Sequence, residues 1–327
     1  MRHLLRRLGF YLIAFWAAIT INFILPRLAP GDPASAFIAR FQGRVDPKAI
    51  DALRIQFGVT NDPMWIQYFQ YLNNLLHGNL GLSVTYFPAP VIQVIGQELP
   101  WTLGLVLISL IISVIIGTVL GALVAWRRNG FLDNLLPPIF TFVSSVPYFC
   151  LALLLLYVLG FTLGWFPTSG GYDRNMIPDW SSDFMYSVFE HALLPALSFV
   201  LASMAGWMLG MRSAMITTLA EDYVLMAEAK GLPERRVLTR YAARNAILPN
   251  LTGFAIALGS AVAGQLLIEI VFSYPGIGFS LLQAVQGSDY ALMQGMFLLI
   301  VAAVLGANFL VDLLYTVLDP RVRQGKG

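Results

Sequence analysis

The chain has 327 residues, of which 57% are hydrophobic and 12% charged, and a net charge of +2. A soluble globular chain carries about 25% charged residues, so this composition, with a mean hydropathy of +0.71, excludes a water-soluble globular protein and points to a bilayer. The single cysteine, Cys150, lies in an apolar run, so no intrachain disulfide can form.

Six mainly apolar runs lack Asp, Glu, Lys and Arg: residues 8–26, 99–126, 134–172, 192–211, 245–268 and 290–311. A bilayer core takes about 20 helical residues, so each qualifies as a span, the third with a non-helical tail. A further uncharged run, 270–288, is broken by Pro275, Gly276 and Gly278 and is not counted as a span. With the N-terminus inside, the inner segments hold fourteen of the twenty Lys and Arg residues and the outer segments six. Positive charge favours the cytoplasmic side, so both termini are expected there. The expected fold is an all-α membrane protein with six transmembrane helices and a small helical extracytoplasmic insert between spans one and two. Its divisions are an N-terminal transmembrane helix (1–30), the insert (31–96), a domain with the other five spans (97–318) and a cytoplasmic tail (319–327).

The N-terminus has the basic-then-apolar order of a signal peptide, and Ala34, Ser35 and Ala36 offer a small-residue site. The apolar run is too long for a signal's core, and Pro30, Gly31, Asp32 and Pro33 intervene, so a retained first span is expected. In the insert, Asp46-Pro47 and Asp62-Pro63 read as helix starts, with Gly58 and Gly78 as stops. The second of these helices places Trp65, Tyr68, Phe69, Leu72 and Leu76 on one face, expected to pack on the membrane domain; a docking surface is the other reading. Residues 90–99 read as an interfacial helix leading into Pro100 and span two. Gly117 and Gly121, Gly160 and Gly164, and Gly206 and Gly210 each have G-x₃-G spacing, which suits close helix packing. Spacing alone leaves open whether that packing is internal or against a second subunit. Pro147 is expected to kink span three.

Residues 221–249 form a polar stretch between two apolar runs and read as two short helices. Glu221 and Asp222 suit a helix start, and Gly231 after Lys230 suits a left-handed stop. Pro233 opens the second helix, with Val237, Leu238, Tyr241 and Ala242 on one stripe and Arg236, Arg240 and Arg244 on another; Pro249 closes it. One side can seat on the membrane domain while the basic side faces the cytoplasm. Beyond it, Glu269 lies near the outer end of span five and Asp312 near the inner end of span six. A carboxylate in a bilayer must face a wet path, pair or snorkel, so a gate-lining role and a snorkelling one both stand for Glu269.

Other chemistry is missing. The chain has no G-x₄-G-K-[ST] phosphate loop, no H-E-x-x-H and no G-x-S-x-G. His3, His77 and His191 are far apart in sequence, so no shared metal site is expected. No cofactor, catalytic residue or nucleic-acid partner is expected either.

The run Ala227, Glu228, Ala229, Lys230, Gly231 and Leu232, followed by Arg244, Asn245, Ala246 and Pro249, resembles the cytoplasmic loop of binding-protein-dependent ABC importer permeases. It is most similar to the B-type permease of the dipeptide/oligopeptide family. It departs from the general importer pattern, E-A-A-x₃-G-x₉-I-x-L-P, with Leu225 and Met226 at the first Glu-Ala and a later Leu248-Pro249 pair. Gly31-Asp32-Pro33, the segment from Gly78 to Ser83 (with Asn79 where Asp is usual), His191 to Leu197, Phe272 to Gly278 and Leu318 to Arg321 match family landmarks in order. The resemblance implies a type I ABC importer permease fold, a non-catalytic subunit, and a coupling helix at Ala227 to Leu232, with Arg244 and Asn245, resting on a partner ATPase. It also implies a heterodimer with a second permease, two ABC ATPase subunits, an extracytoplasmic solute-binding protein and a bacterial or archaeal cytoplasmic membrane. Glu269, Tyr274, Pro275 and Gly276 are the candidate gate or path residues. Peptides are the expected substrate, with oligosaccharides such as beta-glucosides as the alternative. A stand-alone secondary transporter is the reading from another class, disfavoured by the lack of mid-span charge relays and of a visible inverted repeat.

Overall fold

The computed structural model describes residues 2–28, 62–260 and 266–318. The Asp46 to Gly58 helix of the insert, the Ala34 site, Gly31-Asp32-Pro33 and the tail from Asp319 onward lie outside the described residues. A bilayer offers no water to backbone groups, so spanning segments must close their hydrogen bonds internally. The described apolar runs do so as helices: α1 (Arg2–Leu28), α2 (Met64–Leu76), α3 (Val91–Trp126), α4 (Phe131–Ser145) and α5 (Tyr148–Leu155), which continues as a π-helical turn over Leu156–Thr162. Then come α6 (Ser182–Leu219), α7 (Asp222–Ala229), α8 (Glu234–Arg236), a second π-helical turn over Val237–Ala242, α9 (Ala243–Ala246), α10 (Leu248–Ser260), α11 (Leu266–Val271), α12 (Ile277–Gln286) and α13 (Tyr290–Leu318).

Among the described residues, α1, α3, α6 and α13 are long and apolar enough to cross a membrane. The third expected span is α4 followed by α5, bent by 100°. Pro147 does more than kink it. Val146 (ψ 126°) and Pro147 (ψ 133°) are both extended, because the residue before a proline is pushed out of the helical region and the helix has to restart. The fifth expected span is represented by α10 and α11, which flank residues 261–265 outside the described set. Span two also differs from expectation. The interfacial helix and the span are one unbroken helix through Pro100, since the long apolar run that follows sustains the helix despite one lost ladder bond.

The described residues group into two compact units, one within Met1–Leu103, Val262–Ile270 and Pro275–Gly327, the other within Gly104–Ala261 and Val271–Tyr274. In the first, α1 lies along α13, and the Asn22 side-chain amide donates to the Gln294 carbonyl at 2.8 Å. Its core is Val91, Val94, Ile95, Ile277, Ala284, Leu292, Met293 and Met296. Helix α2 packs on α1 through Tyr68 and Tyr71 against Phe23, with ring centroids 5.2 and 5.5 Å apart, and the Tyr68 hydroxyl is 2.8 Å from Thr20 Oγ1. The packing face is therefore rotated from the one read in the sequence. Trp65, Phe69 and Leu76 are exposed instead, because the polar anchors Thr20 and Arg27 draw Tyr68 and Gln67 toward α1.

In the second unit, α6 opens on Ser181, whose hydroxyl accepts from the Phe184 N–H at 3.3 Å. It packs on α3 at the first glycine pair. A Cβ on Gly117 would lie 2.6 Å from the Trp207 Cβ, and one on Gly121 would collide with the Met208 carbonyl. This pair is internal packing, where the missing side chains let two backbones approach. Gly206 is exposed, and a Cβ there would meet nothing within 4 Å. Gly121→Ala should therefore destabilise the folded protein by about 1–3 kcal/mol through overpacking. Gly206→Ala should be neutral or slightly stabilising. Thermal unfolding in detergent, read as the midpoint shift of each variant, checks the contrast.

Candidate functional site

The loop from Glu221 onward is built on one helix stop. Helix α7 ends at Lys230, and Gly231 takes a left-handed conformation (φ 70°). The Leu232 N–H reaches back to the Ala227 carbonyl at 3.4 Å and the Gly231 N–H to the Glu228 carbonyl at 2.8 Å. That pair of bonds is a Schellman motif, and its usual apolar contact is present, since Leu232 packs with Ala227. The left-handed stop expected at Gly231 is there.

Val224 and Ala227 on α7 and Val237 are buried together, with Trp126, Leu219 and Tyr241 packed around them. The next segment lies on α3 and α6: Ala242 and Ala246 are buried against Ala125, Met211 and Met215. The π-helical turn makes this possible. It widens the helix to more than four residues per turn, so Val237 and Ala242, five apart, both face the membrane helices. Arg236, Arg240 and Arg244 are exposed on the other side, as their spacing implied. So are Glu228, Ala229, Lys230 and Asn245, and the Asn245 side chain donates to the Tyr223 hydroxyl at 2.8 Å. Pro233 precedes the second helix rather than beginning it, with an extended ψ of 136°. Pro249 does not close that helix. It is the second residue of α10, where a proline's missing N–H is an orphan in any case. Beside the loop is a cleft of about 520 Å³ lined by Trp126, Arg128, Leu219, Glu228 and Glu234 among others.

Sequence reading missed one ion pair in this unit. The Arg212 Nε and Nη2 donate to the Asp133 Oδ1 at 2.8 and 2.7 Å, and the Asn129 N–H donates to Oδ2 at 3.0 Å. Asp133 is a buried carboxylate in the first turn of α4, at the positive end of that helix. Two charges 79 positions apart carry no local signal.

At the expected outer side, the first unit holds a cluster of carboxylates around helix starts. Glu269 is fully buried, and its Oε2 accepts the Gly278 N–H at 2.6 Å in the first turn of α12. A Cβ on Gly276 would collide with that carboxyl, so Gly276 and Glu269 are brought together as a cradle. Beside it the Ile277 N–H donates to the Thr102 Oγ1 at 2.9 Å, and the Ser280 hydroxyl donates to Glu98. Glu269 therefore does not snorkel: it is an internal anchor of the α12 N-terminus, where its Oε2 accepts an N–H that the helix leaves unpaired. Pro275 is half-buried in the same unit, and Tyr274 is buried in the other. The side chain of Asp312 lies outside the described residues. Asp289 repeats the device at α13. It accepts the Leu292 N–H at 3.0 Å, the Ser83 hydroxyl at 2.6 Å and the Thr85 N–H at 2.8 Å. The Tyr86 hydroxyl is 2.9 Å from both Ser280 Oγ and Gln283 Oε1, and burial pushes its phenol up to about 12.

A long-helix membrane fold with a polar loop seated on its helix ends is the arrangement of a membrane transport subunit, and comparison with known proteins agrees. The family model described as "Binding-protein-dependent transport system inner membrane component" matches residues 117–324. The chain is 32% identical over 327 residues to the dipeptide transport system permease protein DppB of Lactococcus lactis, covering 99% of both chains. It is 34% identical over 311 residues to the oligopeptide transport system permease protein AppB of Bacillus subtilis, covering 92% of this chain and 93% of that one. It is likewise 34% identical to the di/tripeptide transport system permease protein DppB of Pseudomonas aeruginosa, over 97% of each. The chain belongs to the family of binding-protein-dependent transport system inner membrane components, and it is a multi-pass membrane protein.

The Glu269 cradle makes a distinction between two substitutions. Glu269→Gln keeps a carbonyl oxygen for the Gly278 N–H, whereas Glu269→Ala leaves that buried donor unpaired at a cost of about 1–3 kcal/mol. The thermal midpoint in detergent should fall clearly for the alanine variant and little for the glutamine one.

Proposed function

We propose that the chain is the permease subunit of an ATP-driven importer of peptides, forming half of a translocation path and hydrolysing no ATP itself. The names of the three relatives above, each a peptide transport permease, support the substrate class. In this reading it pairs with a second homologous permease, receives peptides from an extracytoplasmic solute-binding protein, and carries two ABC ATPases on its cytoplasmic side. Both termini and the loop 221–249 face the cytoplasm of a bacterial or archaeal inner membrane, and residues 97–318 form the transport domain. Of the loop residues expected to meet the ATPase, the exposed Glu228, Ala229, Lys230, Arg244 and Asn245 make the contact, whereas Ala227 is buried and Leu232 packs beside it, so these two seat the helix and Gly231 sets its turn. Glu269, Pro275 and Gly276 belong to an outer gate, in which Glu269 acts by holding the start of α12.

One observation carries the reading: α7 is seated by Val224 and Ala227 and turned outward by the left-handed Gly231, so that Tyr223, Leu225 and Met226 stay exposed. An exposed apolar patch at the end of a rigid seat is what a partner can grip and push. Rigid seating matters, since a floppy linker would absorb the force.

A Cβ at Gly231 would touch nothing, so substitution there tests the turn alone. Valine in a left-handed conformation costs about 1–2 kcal/mol, whereas asparagine visits that region readily. Gly231→Val should assemble with its partners yet lose ATPase stimulation by loaded binding protein, while Gly231→Asn should keep most of it. Equal stimulation in both variants and wild type would refute the coupling role. Orientation has its own check. In a Cys150→Ser background, a cysteine replacing Arg236 should react with a membrane-impermeant thiol reagent only from the cytoplasm, and one replacing Arg174 only from outside. Reaction of both from one face would reject the topology.

A further inference from the structure

We infer that the Arg212–Asp133 ion pair is a positioning link that carries movement of the cytoplasmic loop into the broken third span. The inference rests on the coupling role proposed for that loop, and it assigns residues that neither the family resemblance nor the positive-inside pattern singled out.

Three observations meet at this pair. Arg212 sits on α6 between Met211 and Met215, the two methionines that form the floor under Ala242 and Ala246 of the loop. Any displacement of the loop therefore reaches α6 within a turn of Arg212. On the same stretch of α6, Gly121 of α3 makes its closest approach, and a Cβ there would lie 3.0 Å from the Arg212 backbone nitrogen. So α3 and α6 are locked together at this level. Asp133, for its part, joins three pieces of backbone. It belongs to the first turn of α4, it takes both Arg212 nitrogens on Oδ1, and it holds the Asn129 N–H on Oδ2. Asn129 is itself left-handed (φ 62°), at the corner where the chain leaves α3 for α4. Helix α4 then ends at Val146 and Pro147, where the span bends by 100°.

The geometry makes a continuous path: loop alanines, α6 methionines, Arg212, Asp133, α4, and the break. Its polar step is the only one with fixed direction, since packed methionines slide and a doubly bonded carboxylate does not. Three N–H donors converge on the one carboxylate, so the link holds through the transport cycle rather than breaking in it. Arg212 is thus a positioning residue that fixes the inner half of span three relative to the seat of the loop.

The test uses the full complex purified with its native partner subunits. Single neutralisation leaves a buried charge unpaired and threatens folding, so the informative variant is the double one, Asp133→Asn with Arg212→Gln, which removes both charges and keeps hydrogen-bonding groups. Spin labels on Arg240→Cys and Phe142→Cys, in a Cys150→Ser background, report the distance between the loop and α4, both sites being exposed. Trialanine uptake per ATP hydrolysed reports coupling. The double variant should assemble at wild-type yield, show a broadened loop-to-α4 distance distribution, and transport about tenfold less per ATP. Arg212→Lys, which keeps the ion pair, should recover a narrow distribution and most of the transport. A merely structural role predicts lower yield with unchanged distance and stoichiometry, and that result would overturn the link. So would a double variant that matches wild type in both readouts. If wild-type complex fails to transport trialanine, the substrate reading falls, and the spin-label distances still decide the link.

Discussion

Small side chains under the loop that begins at Glu221 set what the rest of the molecule can do with it. Ala242 and Ala246 lie flat on Met211, Met215 and Ala125, and Ala227 lies against Val237 and Trp126. A larger residue at any of these places would lift the loop off the helices, since a packed interface absorbs added methylenes only by shifting backbone. The glycine pair Gly117 and Gly121 extends the same principle into the membrane, where lipid is as apolar as the helices and only close approach rewards association.

The first unit uses a different device. Glu269 and Asp289 are both completely buried, and each meets backbone N–H groups at the first turn of a helix. A carboxylate there satisfies orphan donors and complements the helix dipole, which makes burial tolerable near a membrane. Ser83 and Thr85 bind the same Asp289 carboxylate, so the segment from Gly78 to Ser83 that resembles the family pattern is tied to the start of α13. The serine in that segment thus has a physical reason to be there, because its hydroxyl donates to a buried acid 206 positions away. The Gly276 cradle likewise explains a glycine by its neighbour, because any side chain there would displace Glu269.

Much of this was legible in the sequence, and the parts that were not share a cause. Charge-free runs announced the apolar helices, and the left-handed stop at Gly231 and the exposed Arg236, Arg240 and Arg244 followed from local spacing. Prolines were harder to read. Pro147 ended a helix that was expected only to kink, Pro100 passed through an unbroken one, and Pro249 began a helix it was expected to close. A proline has the same local chemistry at each of these places, so the local sequence does not tell which outcome follows. The rotated face of α2 was invisible because it depends on Thr20 and Arg27 of another helix. Arg212 with Asp133, and Ser83 with Asp289, are pairings across long sequence separations that no periodicity encodes.

The most direct measurement is a contact map of the loop in native membranes. A photo-activated benzoylphenylalanine in place of Met226, which is 59% exposed on α7, reports whatever protein lies against that helix. If the loop is the coupling element, irradiation should give one adduct with a nucleotide-hydrolysing subunit, and trapping that subunit with ATP and vanadate should change its yield. An identical probe at Trp180, which is 92% exposed, should give no such adduct. Adducts of Met226 with lipid alone, or with the ATPase from both positions, would contradict the assignment.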